Sequence, residues 1–347
     1  MNFSISCKEA FFMDMQAWLH ALIQPGKKKT MPILSFPCVS LMDVSVRALT
    51  HDAALQAKGM KLIADRVPSL AAVSMMDLSV EAEAFGCRVK MEENEVPTIV
   101  GALVTDEDEA EDLLVPEVGA GRTGQYIEAM KMACELITDR PVFAGVIGPF
   151  SLAGRIMDVQ EALVNCIAEP DMVHIIMEKT TAFLINYIRA YKEQTGASGV
   201  VMAEPLTGLL SPAMAEEFSE PYVKKIVDAV QDENFIVIYH NCGDNILLMA
   251  DSILRTGAKA YHFGNAIDLK DMLAKFPADI PCMGNVDPAG QFMNGTPESI
   301  REETLRIMEN CSAYPNFIIS SGCDIPPASK WENIDAYFQA VEEFYNR

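Results

Sequence analysis

No stretch of this 347-residue chain stays apolar for the ~18 residues that a membrane-spanning helix needs, because Gly, Pro or charge interrupts every run first. A helical membrane protein is therefore excluded. Positive charge is scarce as well: 27 Lys+Arg face 49 Asp+Glu, a formal net charge of −22. Such a field repels polyanions on average, so nucleic acid is not an expected partner. The opening residues carry acids among apolar side chains and lack a basic segment followed by a clean apolar core; this does not read as a signal peptide, and a cytoplasmic location is expected. Nine cysteines are an odd number scattered singly through a long chain, which argues against a disulfide framework. Reduced thiols are expected, with most of Cys7, Cys38, Cys87, Cys134, Cys166, Cys282 and Cys311 acting as small buried hydrophobes. No repeat, low-complexity tract or Gly/Ser linker divides the sequence, so one domain over 1–347 is expected.

What the chain does have is a rhythm. Eight short apolar runs rich in β-branched or aromatic residues are separated by longer segments with helical spacing. They lie at 31–36, 71–77, 142–148, 199–204, 235–240, 259–263, 281–285 and 316–321. Near-continuous apolar runs suit parallel strands buried on both faces, so the pattern predicts an α/β fold, a (β/α)8 TIM barrel. An N-terminal helical extension should precede it. Ser211 followed by Pro212 reads as a helix start, and Pro221 should kink or divide that helix. A second helix is predicted over 171–194, where Ile175, Ile176, Phe183, Leu184, Tyr187 and Ile188 recur at helical spacing. The region 80–118 breaks the rhythm between strands two and three. From Glu92 to Glu117 it holds ten acids and no Lys or Arg, and it reads as a small hairpin and an acidic loop on a solvated surface.

In a barrel the reacting groups sit at the carboxyl ends of the strands. The fifth run ends in Tyr239-His240-Asn241-Cys242-Gly243-Asp244, the eighth in Ser320-Ser321-Gly322-Cys323-Asp324. Residues two apart in an extended segment project to the same side, so His240 and Cys242 suit two bonds to one ion. With Cys323 they form a nitrogen and sulfur donor set that favours zinc, and three ligands leave a fourth position for water or substrate. Glu204, ending the fourth run, is a candidate for that position; a hydrogen-bond acceptor behind the ligands or a loop cap is the alternative. Asp244 reads as a supporting or capping group. Asp77, Asn265, Asn285 and Asp287 end other runs, where they either contact a ligand or satisfy loop amides. His262 lies inside the sixth run and reads as a packed core histidine. His174 reads as a helix-side residue, and His20 and His51 have no partner pattern.

At these residues the chain resembles the uroporphyrinogen decarboxylase superfamily and, within it, the zinc-dependent methyltransferases that move a methyl group from a corrinoid protein to a thiol. The likeness spans most of the sequence. It rests on Glu81-Ala-Glu83-Ala-Phe-Gly86-Cys87, Gly148-Pro-Phe-Ser-Leu-Ala153, Ala203-Glu204-Pro205 with Leu-Leu-Ser-Pro212, His240-x-Cys242-Gly243, and Gly322-Cys323 followed by Trp-Glu-Asn333. The resemblance implies that His240, Cys242 and Cys323 hold zinc. It implies a methylcobamide co-substrate, carried by a corrinoid protein, and a small thiol acceptor such as coenzyme M. Glu204 departs from an expected Asp. No Asp-x-His-x-x-Gly corrinoid-binding element occurs, so the corrinoid should arrive on a separate protein.

Two other readings stand beside this one. A decarboxylase-type lyase acting on a tetrapyrrole needs fixed cations against many carboxylates. Met31 to Ala48 offers only Arg47, and the lyase leaves the thiols unexplained. A non-catalytic corrinoid- or tetrapyrrole-binding barrel would show four permanent protein ligands around any metal.

Overall fold

The computed structural model describes residues 14–347. Its centre is a curled, wholly parallel sheet of seven strands: β1 (Ala72–Val73), β4 (Val142–Ile147), β5 (Gly199–Ala203), β6 (Ile236–Asn241), β7 (Ala260–Phe263), β8 (Cys282–Val286) and β9 (Phe317–Ser321), adjacent in that order. Two short strands, β2 (Val89–Lys90) and β3 (Thr98–Ile99), pair antiparallel in a separate hairpin. Helices occupy the intervals between the parallel strands, as right-handed crossovers require.

Seven of the eight predicted runs contain these parallel strands; the first, 31–36, is corrected. Pro32 has no N–H to donate, and only isolated bonds tie the segment down. Met31 N–H donates to the Ile319 carbonyl (3.3 Å), and Ile33 N–H to the Ser321 hydroxyl (3.0 Å). At the other edge Leu70 N–H donates to the Thr30 carbonyl (2.8 Å). The stretch from Thr30 thus touches both β9 and the approach to β1 without laddering to either.

Strand alternation sorts the core into two layers. Val200 and Met202 of β5, and Val237 and Tyr239 of β6, face the helices, whereas Val201, Ala203, Ile236 and Ile238 face the inside of the curl with Phe143, Ala260, Met283 and Ile318. Helix Met15–Leu22, capped by Asp14, adds Met15, Leu19 and Leu22 to that inner layer. Continuing the period of two along β6 from Ile236 and Ile238 brings His240 and then Cys242 to the inside at the carboxyl end.

Local chemistry follows the residues. Ser211 caps a helix at Pro212–Phe218, and the chain restarts at Glu220–Val230, so Pro221 divides the pair at Ser219. The predicted long helix runs Pro170–Gln194. In the acidic region the hairpin β2–β3 is followed by a short helix, Glu107–Asp112, where a loop was expected; Asp106 caps it and Glu109 accepts from the Thr105 amide and hydroxyl. Cys7 lies outside the described residues. Cys38, Cys87, Cys166, Cys282 and Cys311 are buried, Cys134 only half-buried.

Candidate metal centre

His240 is the penultimate residue of β6, Cys242 follows the strand immediately, and Cys323 lies just beyond β9. The sheet brings these 81-residue-distant segments together: one ligand atom from each of His240, Cys242 and Cys323 lies within 4.8 Å of the others. Tetrahedral zinc, with bonds of about 2.3 Å to sulfur and about 2.0 Å to nitrogen, separates a sulfur from a nitrogen ligand by roughly 3.5 Å. Cys323 Sγ stands 3.4 Å from His240 Nε2, so the donors fit such an ion and leave one tetrahedral position to a ligand. Two glycines permit the approach. A Cβ on Gly264 would fall 2.5 Å from the Cα of Cys242, and one on Gly243 would fall 2.4 Å from the Cα of Gly208.

The imidazole is oriented from behind. Ser320 donates its only hydroxyl proton to the Met31 carbonyl (2.6 Å), so toward His262 Nε2 (2.7 Å) its oxygen accepts. His262 therefore carries its proton on Nε2 and offers Nδ1 as acceptor to the Nδ1–H of His240, 2.8 Å away. His240 Nε2 is left with a lone pair facing the two sulfurs, the tautomer that metal ligation requires. Burial, reinforced by His240, holds His262 well below the usual histidine range and hence neutral.

The neighbouring Cys323 thiol holds Cys242 well below the ordinary thiol value, while proximity to Cys242 and burial push Cys323 well above it. Elsewhere burial pushes the thiols of Cys38, Cys87, Cys134, Cys166 and Cys311 up to about 12, which leaves them protonated and inert. The centre opens into a pocket of about 70 Å³ whose walls are largely apolar, with Ile33, Met76, Leu78, Ala203 and Pro205 facing the three donors. Asp324 also lines it; one carboxylate oxygen has no partner, and burial pushes the group well above the usual carboxylate range.

The remaining predicted residues do not join this group. Glu204 is fully buried and turned to the start of helix Pro149–Met157, accepting from Phe150 N–H (2.8 Å), Ser151 N–H (3.2 Å), the Ser151 hydroxyl (3.0 Å) and the Thr207 hydroxyl (2.9 Å). That is the place an anion is favoured by unsatisfied helix amides. Both oxygens of Asp77 are occupied, one by Ser79 and the other by Arg122 and Tyr126. Asn285 spends its amide on the Gly264 (3.0 Å) and Ile267 (2.8 Å) carbonyls. Asn265, Asn285 and Asp287 line a different pocket, of about 410 Å³, that contains none of the three donors. Asp244 is exposed. His262, Ser320 and Asp324 were not singled out by sequence reasoning for these roles; the signal for His262 was its alternation with Ala260 on a strand adjacent to His240, its direct register partner.

The chain is similar to several known proteins. The family model described as uroporphyrinogen decarboxylase (URO-D) matches residues 38–344. The methylcobamide:CoM methyltransferase MtbA of Methanosarcina acetivorans is 27% identical over 274 residues, covering 77% of this chain and 78% of its own. A uroporphyrinogen decarboxylase of Hydrogenovibrio crunogenus is 26% identical over 291 residues, 80% of each chain. Among solved structures, a methyltransferase from Methanosarcina mazei superposes with a TM-score of 0.83 at 21% identity, covering 96% of this chain and 99% of that one. That likeness establishes a shared fold.

Proposed function

This chain belongs to the uroporphyrinogen decarboxylase family, and from that premise we propose that it is a zinc-dependent methyltransferase moving a methyl group from a protein-bound methylcobamide to a small thiol such as coenzyme M. The observation that carries the reading is the convergence of His240, Cys242 and Cys323. Decarboxylation has no use for two sulfurs and an imidazole aimed at one point, and the MtbA relative is named for this transfer. The curled sheet is read as a closed (β/α)8 barrel with the segment from Thr30 in the place of an eighth strand, forming one cytoplasmic domain. The corrinoid protein would dock over its carboxyl-terminal mouth.

His240, Cys242 and Cys323 would hold the metal. A zinc ion there supplies Lewis-acid chemistry that lowers the pKa of an incoming thiol and keeps its sulfur anionic. The chain's residues supply the rest. With the metal bound, Cys242 and Cys323 would both be thiolates and contribute two negative charges, so a third sulfur would keep charge density for attack. His262 keeps the proton of His240 on Nδ1. The apolar walls of the pocket exclude water and fix the approach of the methyl group. Glu204 sets the β5 loop and the start of helix Pro149–Met157 against each other; direct ligation by Glu204 would require it to leave four hydrogen bonds.

The test is to mix the zinc-loaded protein with methylcobalamin and small thiols and follow the cobalamin spectrum. Demethylation should require zinc and disappear in Cys323→Ser. Turnover that is indifferent to zinc, or porphyrinogen decarboxylation without it, overturns the reading.

A further inference from the structure

Arg155 is the cation that the proposed chemistry leaves unused. Seven of the eleven arginines are paired with carboxylates, and Arg47, Arg88 and Arg189 are exposed. Arg155, in the last turn of helix Pro149–Met157, is neither. It is half-buried, and among the described residues its guanidinium has no ion pair and no hydrogen bond. Burial without a counter-charge pushes its pKa down from the usual arginine range. A desolvated, unpaired cation is costly, and it is the more notable in a chain with 49 acids available to neutralise it.

Its surroundings suggest what neutralises it. Arg155 lines a pocket of about 190 Å³ between the hairpin β2–β3, which contributes Thr98 and Ile99, and the residues that follow β1. Met76 and Leu78 line this pocket and also the one that holds His240, Cys242 and Cys323. Those two side chains are walls common to both spaces; Arg155, with its planar five-donor group, lines one and the three metal-binding donors line the other. A net charge of −22 repels small anions in general, so a local fork of donors is what would admit one.

We propose that Arg155 grips the anionic end, a sulfonate or carboxylate, of the thiol whose sulfur is held by His240, Cys242 and Cys323, and so selects negatively charged acceptors over neutral ones. The proposal rests on the thiol-transfer reading and adds to it the charge of the substrate and the residue that reads it. A guanidinium that only complements the helix terminus would affect stability and leave substrate charge without consequence.

The experiment measures binding by calorimetry to the zinc-loaded protein, to Arg155→Gln and to Arg155→Lys. The probes are 2-mercaptoethanesulfonate, 3-mercaptopropionate, neutral 2-mercaptoethanol, and propane-1-sulfonate, which has the anion and no thiol. Wild type should bind the anionic thiols at least about ten-fold more tightly than 2-mercaptoethanol. R155Q should lose that preference with 2-mercaptoethanol unchanged, and R155K should fall between them. Equal affinity for charged and neutral thiols in wild type, or equal weakening of all probes in R155Q, overturns the proposal. If no thiol binds but propane-1-sulfonate binds wild type and not R155Q, the anion site stands and the thiol-transfer reading falls. If thiols bind with no charge preference, the reverse holds.

Discussion

Two buried polar clusters sit at the carboxyl ends of this sheet, and they differ in what their atoms have left over. After β1, Asp77 spends both oxygens on Ser79, Arg122 and Tyr126, and Arg122 is further tied to Glu83 and Ser79. After β6 and β9, His240, Cys242 and Cys323 aim their donor atoms at one another. Both clusters are rich in titratable groups and both sit where a barrel does chemistry. The first satisfies itself and is a structural tie between β1 and helix Thr123–Leu136; the second keeps donor capacity that the proposed zinc would take up. Residue type and rim position do not separate the two, whereas unspent donor capacity does.

If that distinction is right, damage to the closed cluster should appear in stability and damage to the open one in metal binding. The largest effect is expected for Asp77→Asn, whose carboxylate is fully buried against Arg122. Removing one partner of a buried pair leaves the other charge uncompensated, a loss of about 3–5 kcal/mol; Glu83, partly exposed at the other side of Arg122, should keep the value near the lower end. Urea denaturation measures it, and chelator competition should show zinc affinity changed by less than about ten-fold. A variant that keeps its stability and loses zinc would merge the two clusters into one site.

Glu81 gives a pH-resolved version of the same comparison. It accepts one bond from Ile147 N–H (3.0 Å), its other oxygen has no partner, and burial pushes its pKa from 4.5 up to about 7. The folded state then keeps a proton that the unfolded chain has released, so stability falls as pH rises from about 4.5 and levels off above about 7. Glu81→Gln has no such proton. The stability difference between wild type and E81Q should therefore shift by about 3 kcal/mol against wild type across that window. Denaturation midpoints at pH 5, 6, 7 and 8 check it; parallel curves would mean that the carboxyl is ionised throughout.

The sequence made the rhythm of the fold legible because fully buried parallel strands are short, apolar and bounded, and seven of them were found on that basis. The segment 31–36 was misjudged because its hydrophobicity is that of a strand while Pro32 withholds a ladder donor. The convergence of His240, Cys242 and Cys323 was legible because ligand chemistry, the period of two and the strand-end position agreed. Asp77 and Asn285 passed the same positional test, but sequence gives no account of which polar atoms are already spent. The partnership of His262 with Ser320 was hidden for a related reason: it depends on which strands are neighbours, and β6, β7, β8 and β9 become neighbours only in the folded sheet.

That partnership yields the smallest and most discriminating effect. In His262→Phe the ring volume stays and the acceptor for His240 Nδ1–H is lost, leaving the carbonyl of residue 262, 3.2 Å away, as the substitute. Partners behind a metal ligand contribute on the order of 10–100-fold in affinity, and with that carbonyl in reserve the loss should lie near ten-fold. His262→Asn places an amide oxygen near the position of Nδ1 and cannot reach Ser320, so it should restore zinc affinity to within about three-fold of wild type if accepting the His240 proton is what matters. Nitrogen-15 spectra of the imidazole add a readout that folding alone would not move: His240 should be a single Nδ1–H tautomer in wild type and H262N and a mixture in H262F. Should both variants weaken zinc alike with His240 unchanged, His262 is packing in the open cluster and the ordering of its protons plays no part.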